Sequence, residues 1–204
     1  MLALKQGLSL TNSNNPSGSA WNPTSEASVE AWYQKSVGIT LNGSNVSQWS
    51  DSSGNGLDMV QATAGSQPSY SAGVLTFDGI DDNLTTAGQI SIVGDFTIGV
   101  VINPTSYTGA ILADKTTGGE FIKFFDNTSI RFKIDSGANT DLSLDSGTFA
   151  QSYMVYTRNS GTMSLWYNGV LQADTETLSG TADIDSIGIR YPSNSPLDGT
   201  IEEV

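Results

Sequence analysis

From Val29 onward the chain alternates short apolar runs with turn-forming residues, and no window of about eleven residues holds a 3.6-residue period. The pattern predicts β-strands throughout. The clearest cover residues 29–34, 74–77, 96–102, 110–113, 121–125, 129–134, 153–158, 162–167 and 184–189. In Ile130-Arg131-Phe132-Lys133-Ile134 the apolar side chains share one face and both cations the other, as in a strand with one face buried and one in water. Asn168-Gly169, set between Leu165-Trp166-Tyr167 and Val170-Leu171, is the strongest short-range hairpin signal in the chain. Asn42-Gly43, Ser53-Gly54, Asn55-Gly56 and Asp78-Gly79 mark further turns. Strands at this spacing predict an all-β protein, a two-sheet antiparallel β-sandwich.

The first 25 residues break the pattern. An apolar opening, residues 1–10, runs into a tract rich in Asn, Ser, Pro and Gly that has little apolar surface to bury. We read residues 1–25 as an arm or linker and residues 26–204 as one domain, with a single helical turn expected at 24–28, capped by Thr24 or Ser25. The arm is either an unanchored terminus or early edge strand, or a segment that orders on a partner.

Composition narrows the chemistry. The net charge of −13, with only 8 Lys and Arg, repels phosphate backbones and anionic membranes, so neither nucleic acid nor membrane is expected as a partner. The absence of His and Cys removes His-dependent triads, zinc hydrolase sites and disulfides. The opening residues have no apolar run of the length an export signal needs, so a protein without a signal peptide is expected.

Two acidic segments carry candidate chemistry. Trp49-Ser50-Asp51-Ser52-Ser53-Gly54-Asn55-Gly56 is either an Asx-capped turn or a loop that turns the Asp51 and Asn55 oxygens onto a cation. In Asp78-Gly79-Ile80-Asp81-Asp82 three carboxylates fall within five residues. They are either solvated turn residues or oxygen ligands suited to a hard cation such as Ca2+. The spacing is not that of an EF-hand loop. Exposed aromatics would suit a sugar-stacking surface, and the candidates are Tyr107, Tyr191 and Trp166, with Tyr70 behind them. Trp166, on an alternating strand, reads more readily as core than as surface. A retaining glycosidase would need two carboxylates aligned on one strand face. The Glu residues, at 26, 30, 120, 176, 202 and 203, supply no such strand, so catalysis is not expected.

Taken in order, Trp49 with Asp51 and Ser53-Gly54-Asn55-Gly56, Phe77-Asp78-Gly79 with Asp81-Asp82, Leu165-Trp166-Tyr167-Asn168-Gly169-Val170, and Gly199-Thr200-Ile201-Glu202-Glu203-Val204 resemble the successive signatures of concanavalin A-like, laminin G-like (LamG) jelly-roll domains. The resemblance runs from about Val29 to the last residue. It implies a two-sheet jelly roll, often with a structural calcium, that recognises carbohydrate or protein. Carried onto this chain, it makes Asp78, Asp81 or Asp82, and Glu202 ion ligands, with Asp51 and Asn55 behind them. In similar sequences the final motif continues into a further strand segment.

A recognition domain of this kind without an export signal is expected on a bacteriophage particle, which reaches the outside by lysis, and the opening residues look like those of phage virion structural proteins. The expectation is a non-enzymatic virion component, a capsid decoration, head or tail-fibre protein. Its arm, residues 1–25, would dock on capsid or tail proteins, and its jelly roll would face surface glycans, alone or as an oligomer. The alternative is a secreted or cell-surface carbohydrate-binding module.

Overall fold

The computed structural model describes Pro23 and residues 28–135, 137–191 and 195–204. Apart from Pro23 and Ser28, the expected arm and the expected helical turn at 24–28 lie outside the described residues.

The described residues form eighteen strands. In chain order they are β1 (Ile39–Asn42), β2 (Asn45–Trp49), β3 (Met59–Val60), β4 (Ser69–Ser71), β5 (Val74–Asp78) and β6 (Leu84–Thr86). There follow β7 (Ser91–Val93), β8 (Phe96–Pro104), β9 (Ala110–Ala113), β10 (Phe121–Phe124), β11 (Ser129–Lys133) and β12 (Thr140–Ser143). The last are β13 (Ser152–Asn159), β14 (Thr162–Tyr167), β15 (Val170–Thr177), β16 (Thr181–Asp183), β17 (Ser186–Ile187) and β18 (Asp198–Glu203). Every pairing among them is antiparallel, as the alternation predicts.

One ladder runs β12-β11-β10-β9-β17-β6-β3 and the other β4-β5-β18-β8-β13-β14-β15. They are joined through β2, which pairs with β3 at Gln48 and Trp49 but meets β4 only at Asn45 and Ser69. Their inner faces meet in the core, where the Phe132 ring of β11 packs edge-on to the Tyr156 ring of β13 at 5.2 Å. At the far side β12 and β15 are stitched by side chains: the Ser143 amide donates to Asp174, the Asp145 amide to Gln172 and the Ala173 amide to Asp145. This is the expected β-sandwich.

The alternation in β11 is kept, with Ile130, Phe132 and Ile134 buried and Arg131 and Lys133 half-exposed. The predicted hairpin is also present. Asn168 and Gly169 both take positive φ, 49° and 81°, as a type I′ turn between right-twisted strands requires. Two expected strands are corrected. Residues 29–34 join no ladder, although Tyr33 and Val204 exchange amide hydrogen bonds of 2.8 and 3.1 Å. Of 184–189 only Ser186 and Ile187 pair, because Gly188 turns the chain away at φ 89° with its Cα against the Phe77 ring.

Candidate functional site

β5 ends at Asp78, and the turn that follows carries the acidic segment. Gly79 sits at φ 75°, a conformation that favours glycine, and a Cβ there would lie 2.8 Å from the Asp198 Cβ. The sharp turn brings one carboxylate oxygen each from Asp78, Asp81 and Asp82 within 4.8 Å of one another. Asp78 is exposed, Asp81 half-buried and Asp82 only 6% exposed.

Each carboxylate is held by one side. Asp82 Oδ2 accepts the Asp78 amide at 3.0 Å, Asp78 Oδ1 accepts the Ile80 amide at 2.8 Å, and Asp81 Oδ2 accepts the Ser66 hydroxyl at 2.8 Å. Burial, followed by the neighbouring Asp78 charge, pushes the Asp82 carboxyl up to about 6. Three oxygens without nitrogen or sulfur, one of them out of water and electrostatically unfavourable when ionised, are the donor set of a hard cation. The residues present therefore fit Ca2+.

The other expected ion ligands lie elsewhere. Asp51 is spent on its own loop: Oδ1 accepts the Trp32 and Ser53 amides, and Oδ2 accepts the Ser53 hydroxyl and the Leu57 amide. Burial alone would raise it, but these bonds hold the Asp51 carboxyl below the usual range. Asn55 turns its amide group to the Val29 and Glu30 carbonyls. Of the two readings of that loop, the Asx turn is the one the structure takes. Glu202 sits toward the opposite end of β18 from Asp198, paired with Lys35 at 2.5 Å. Asp198, which sequence reasoning passed over, is the cross-strand partner of Asp78. Its place directly before the Gly199-Thr200-Ile201-Glu202 motif is the signal that would have found it.

The aromatic candidates separate. The Tyr107 ring packs edge-on against Phe124 at 6.0 Å and its hydroxyl donates to the Phe149 carbonyl, so it belongs to the core margin. Tyr70 likewise packs against the core. Tyr191 is 47% exposed. Trp166 points away from the core, because Met163 and Leu165 take the inner positions of β14. It lies between Val155 of β13, which is buried, and Leu171 of β15, and Val155 in turn faces Gly99 of β8. Leu171 is 47% exposed.

A second polar cluster escaped the sequence entirely. Asp185, 1% exposed, accepts the Lys115 amide at 2.6 Å and lies 3.5 Å from the Lys115 ammonium, which also donates to the Gly88 and Ala87 carbonyls and to that of Thr86. Burial raises the Asp185 carboxyl against the opposing pull of the Lys115 amide and charge. Glu120, also buried, accepts the Asp183 amide at 2.5 Å. These are ties between β9, β16 and β17 rather than an open site.

No curated protein matches the chain. Among solved structures it is similar to a native heptameric SAP-like pentraxin from Limulus polyphemus, at 14% identity and TM-score 0.50, over 63% of this chain and 72% of that one. It is also similar to Trypanosoma rangeli sialidase in complex with 2,3-difluorosialic acid, at 15% identity and TM-score 0.54, over 85% of this chain and 29% of the sialidase. An arabinofuranosidase complexed with arabinofuranosyl-α-1,2-xylobiose matches at 13% identity and TM-score 0.52, over 78% and 46% of the two chains. At such identities these likenesses show the fold. A family model matches residues 77–204, from the acidic turn through β18. The chain belongs to the concanavalin A-like lectin/glucanases superfamily, as a laminin G-like jelly roll.

Proposed function

We propose that this domain is a non-enzymatic recognition module for surface glycans, with its edge turn fixed by a Ca2+ held among Asp78, Asp81 and Asp82. The observation that carries the reading is the convergence of three carboxylate oxygens within 4.8 Å around an Asp82 that is almost wholly out of water. Asp78, Asp81 and Asp82 would hold the ion, which would supply the positive charge that offsets their mutual repulsion. The chain does the rest. Ser66 orients Asp81, the Asp78 amide orients Asp82, and Gly79 gives the turn its sharpness. The half-exposed Trp166 and, beside it on β15, Leu171 at 47% exposure offer an apolar surface of the kind on which a pyranose ring stacks. Against catalysis stands the engagement of three glutamates: Glu120 holds the Asp183 amide, Glu202 holds Lys35 and Glu203 accepts the Trp32 indole N–H.

On this reading the module is carried on a bacteriophage particle, joined to capsid or tail proteins through residues 1–25. A secreted or cell-surface carbohydrate-binding module is the second reading, favoured by the half-exposed Trp166. Mass spectrometry of purified particles separates the two. The particle reading expects the chain in washed virions, and its loss from them after deletion of residues 1–25. Recovery only from culture medium or host surface would favour the second. A glycan array probed with Ca2+ and with chelator tests the recognition itself: a discrete sugar preference that weakens on chelation is expected, and a blank array would overturn it.

A further inference from the structure

The outer face of β10 and β11 carries positive charge on an otherwise acidic chain. Ile122, Phe124, Ile130 and Phe132 turn into the core, so Phe121, Lys123, Arg131 and Lys133 share the opposite side. Register sets Lys123 directly across from Arg131 and Phe121 across from Lys133. Arg190 completes the group, its guanidinium 4.4 Å from the centre of the Phe121 ring. Arg131 lies 3.7 Å from the centre of the Phe125 ring, which is 45% exposed. Four of the eight Lys and Arg residues of a chain with net charge −13 thus meet on one face, all of them half-exposed. The arrangement is unfavourable to the free protein, because like charges directly opposite on neighbouring strands repel. Lys123 donates to a neutral group, the Ser195 hydroxyl, at 3.2 Å. Burial first, then the Arg190 and Arg131 charges, pull its pKa down. Among the described residues Lys123, Lys133 and Arg190 stand in no ion pair, whereas Arg131 holds Asp141 at 2.7 and 2.8 Å.

We infer that this face binds a short acidic oligosaccharide, with the carboxylate of a uronic acid seated among Lys123, Lys133 and Arg190. A planar guanidinium takes a carboxylate through two parallel bonds, as Arg131 does with Asp141 on the same face. Arg190 is held for that role before any ligand arrives: its plane rests against Phe121 and its Nε donates to the Gly118 carbonyl at 2.7 Å. The carboxylate supplies the negative charge that Lys123 lacks, and the open Phe125 ring gives the sugar an apolar neighbour. From Phe121 to Phe125 the strand runs about 14 Å, room for a few pyranose rings. A long uniform polyanion such as nucleic acid would extend past the patch onto the acidic remainder of the surface and be repelled. A short chain with one charge per ring stays within it. β10 and β11 belong to the ladder opposite that of Trp166, so the inference goes beyond the glycan surface proposed there and requires no Ca2+.

Calorimetric titration of trigalacturonate into the full chain, with chelator present throughout, tests it. Binding is expected without Ca2+, and it should weaken at least about tenfold on raising NaCl to about 0.5 M. The Lys123→Gln, Lys133→Gln double variant should lose at least about 30-fold in affinity, since two charge-assisted bonds go with it. Arg190→Gln, from outside both strands, should show a loss of the same kind, while Lys35→Gln, which removes a cation elsewhere, should bind as the wild type does. Thermal melts report folding: with repulsion relieved, the double variant should melt no lower than the wild type. Amide shifts on titration should centre on β10, β11 and Arg190. No binding, equal binding of the uncharged methyl ester, or undiminished binding by the double variant and Arg190→Gln overturns the assignment. So does equal or tighter binding of a sulfated neutral trisaccharide, which would put sulfate in the site, or a set of shifts centred on Trp166. Chelator and Trp166→Ala bear on the surface of β14 and β15 instead, so the two readings fail separately.

Discussion

The Asp78 amide donates to Asp82 Oδ2 at 3.0 Å, so the backbone of one acid holds the carboxylate of the other in place beside its own. Asp82 is buried and its carboxyl is raised to about 6 from an ordinary value of 3.8. Without a cation, the proton is held more tightly in the folded state than in the unfolded one. The contribution to stability is therefore complete below about pH 4 and is lost as pH rises through about 6, by up to roughly 3 kcal/mol. Ca2+ competes with that proton. Thermal melts should show Ca2+ raising Tm at pH 7 and not at pH 4, with both the pH step and the Ca2+ gain removed in Asp82→Asn. A Ca2+ gain of equal size at pH 4 and pH 7 would contradict the site.

Gly79 makes the acidic turn, and a side chain there meets two obstacles: φ of 75° and the Asp198 Cβ at 2.8 Å. Gly79→Ala should cost about 1–3 kcal/mol in denaturant unfolding and weaken Ca2+ binding in the same variant. Unchanged unfolding together with unchanged Ca2+ affinity would show that the turn does not position the cluster.

Much of this was legible from local pattern. β8, β11 and β14 carry clear alternation, and the Asn168-Gly169 hairpin follows from φ preference alone. The three acids are neighbours in sequence, so any tight turn gathers them. What stayed hidden depends on pairing between distant residues. Asp198 meets Asp78, and Asp185 meets Lys115, only through strand register. Ser69–Ser71 is a strand because β5 lies beside it, although Ser-Tyr-Ser has no buried face of its own. Tyr107 looks like a loop residue until the Phe149 carbonyl arrives from more than forty residues away.

Two tryptophans of the β-pattern should behave oppositely. Trp49 is fully buried, its ring 5.7 Å from Tyr33 and its indole donating to the Gln34 carbonyl, so Trp49→Ala should cost about 3–5 kcal/mol. Trp166 has lost much less water. Trp166→Ala should cost about 1 kcal/mol, the worth of its cross-strand pairs, while abolishing retention on the glycan that the array selects. Denaturant titration of both, with the array repeated on Trp166→Ala, checks the contrast.

The Lys115–Asp185 tie is a buried charge with one partner within reach. Lys115→Met leaves Asp185 without it and should cost about 3–5 kcal/mol, whereas Lys115→Met with Asp185→Leu should recover much of the loss. A double-mutant cycle by chemical unfolding measures the difference, and additive losses would show that the pair is not coupled.

Recognition without turnover is the central property proposed for this domain. Calorimetric titration of the array's preferred glycan into the wild-type protein, in Ca2+ and then in excess chelator, is the direct measurement. Binding in Ca2+ that weakens at least about tenfold, or roughly 1.4 kcal/mol, in chelator, with the glycan recovered intact, is the predicted result. Cleaved glycan, or no heat of binding with any sugar the array retains, would contradict it.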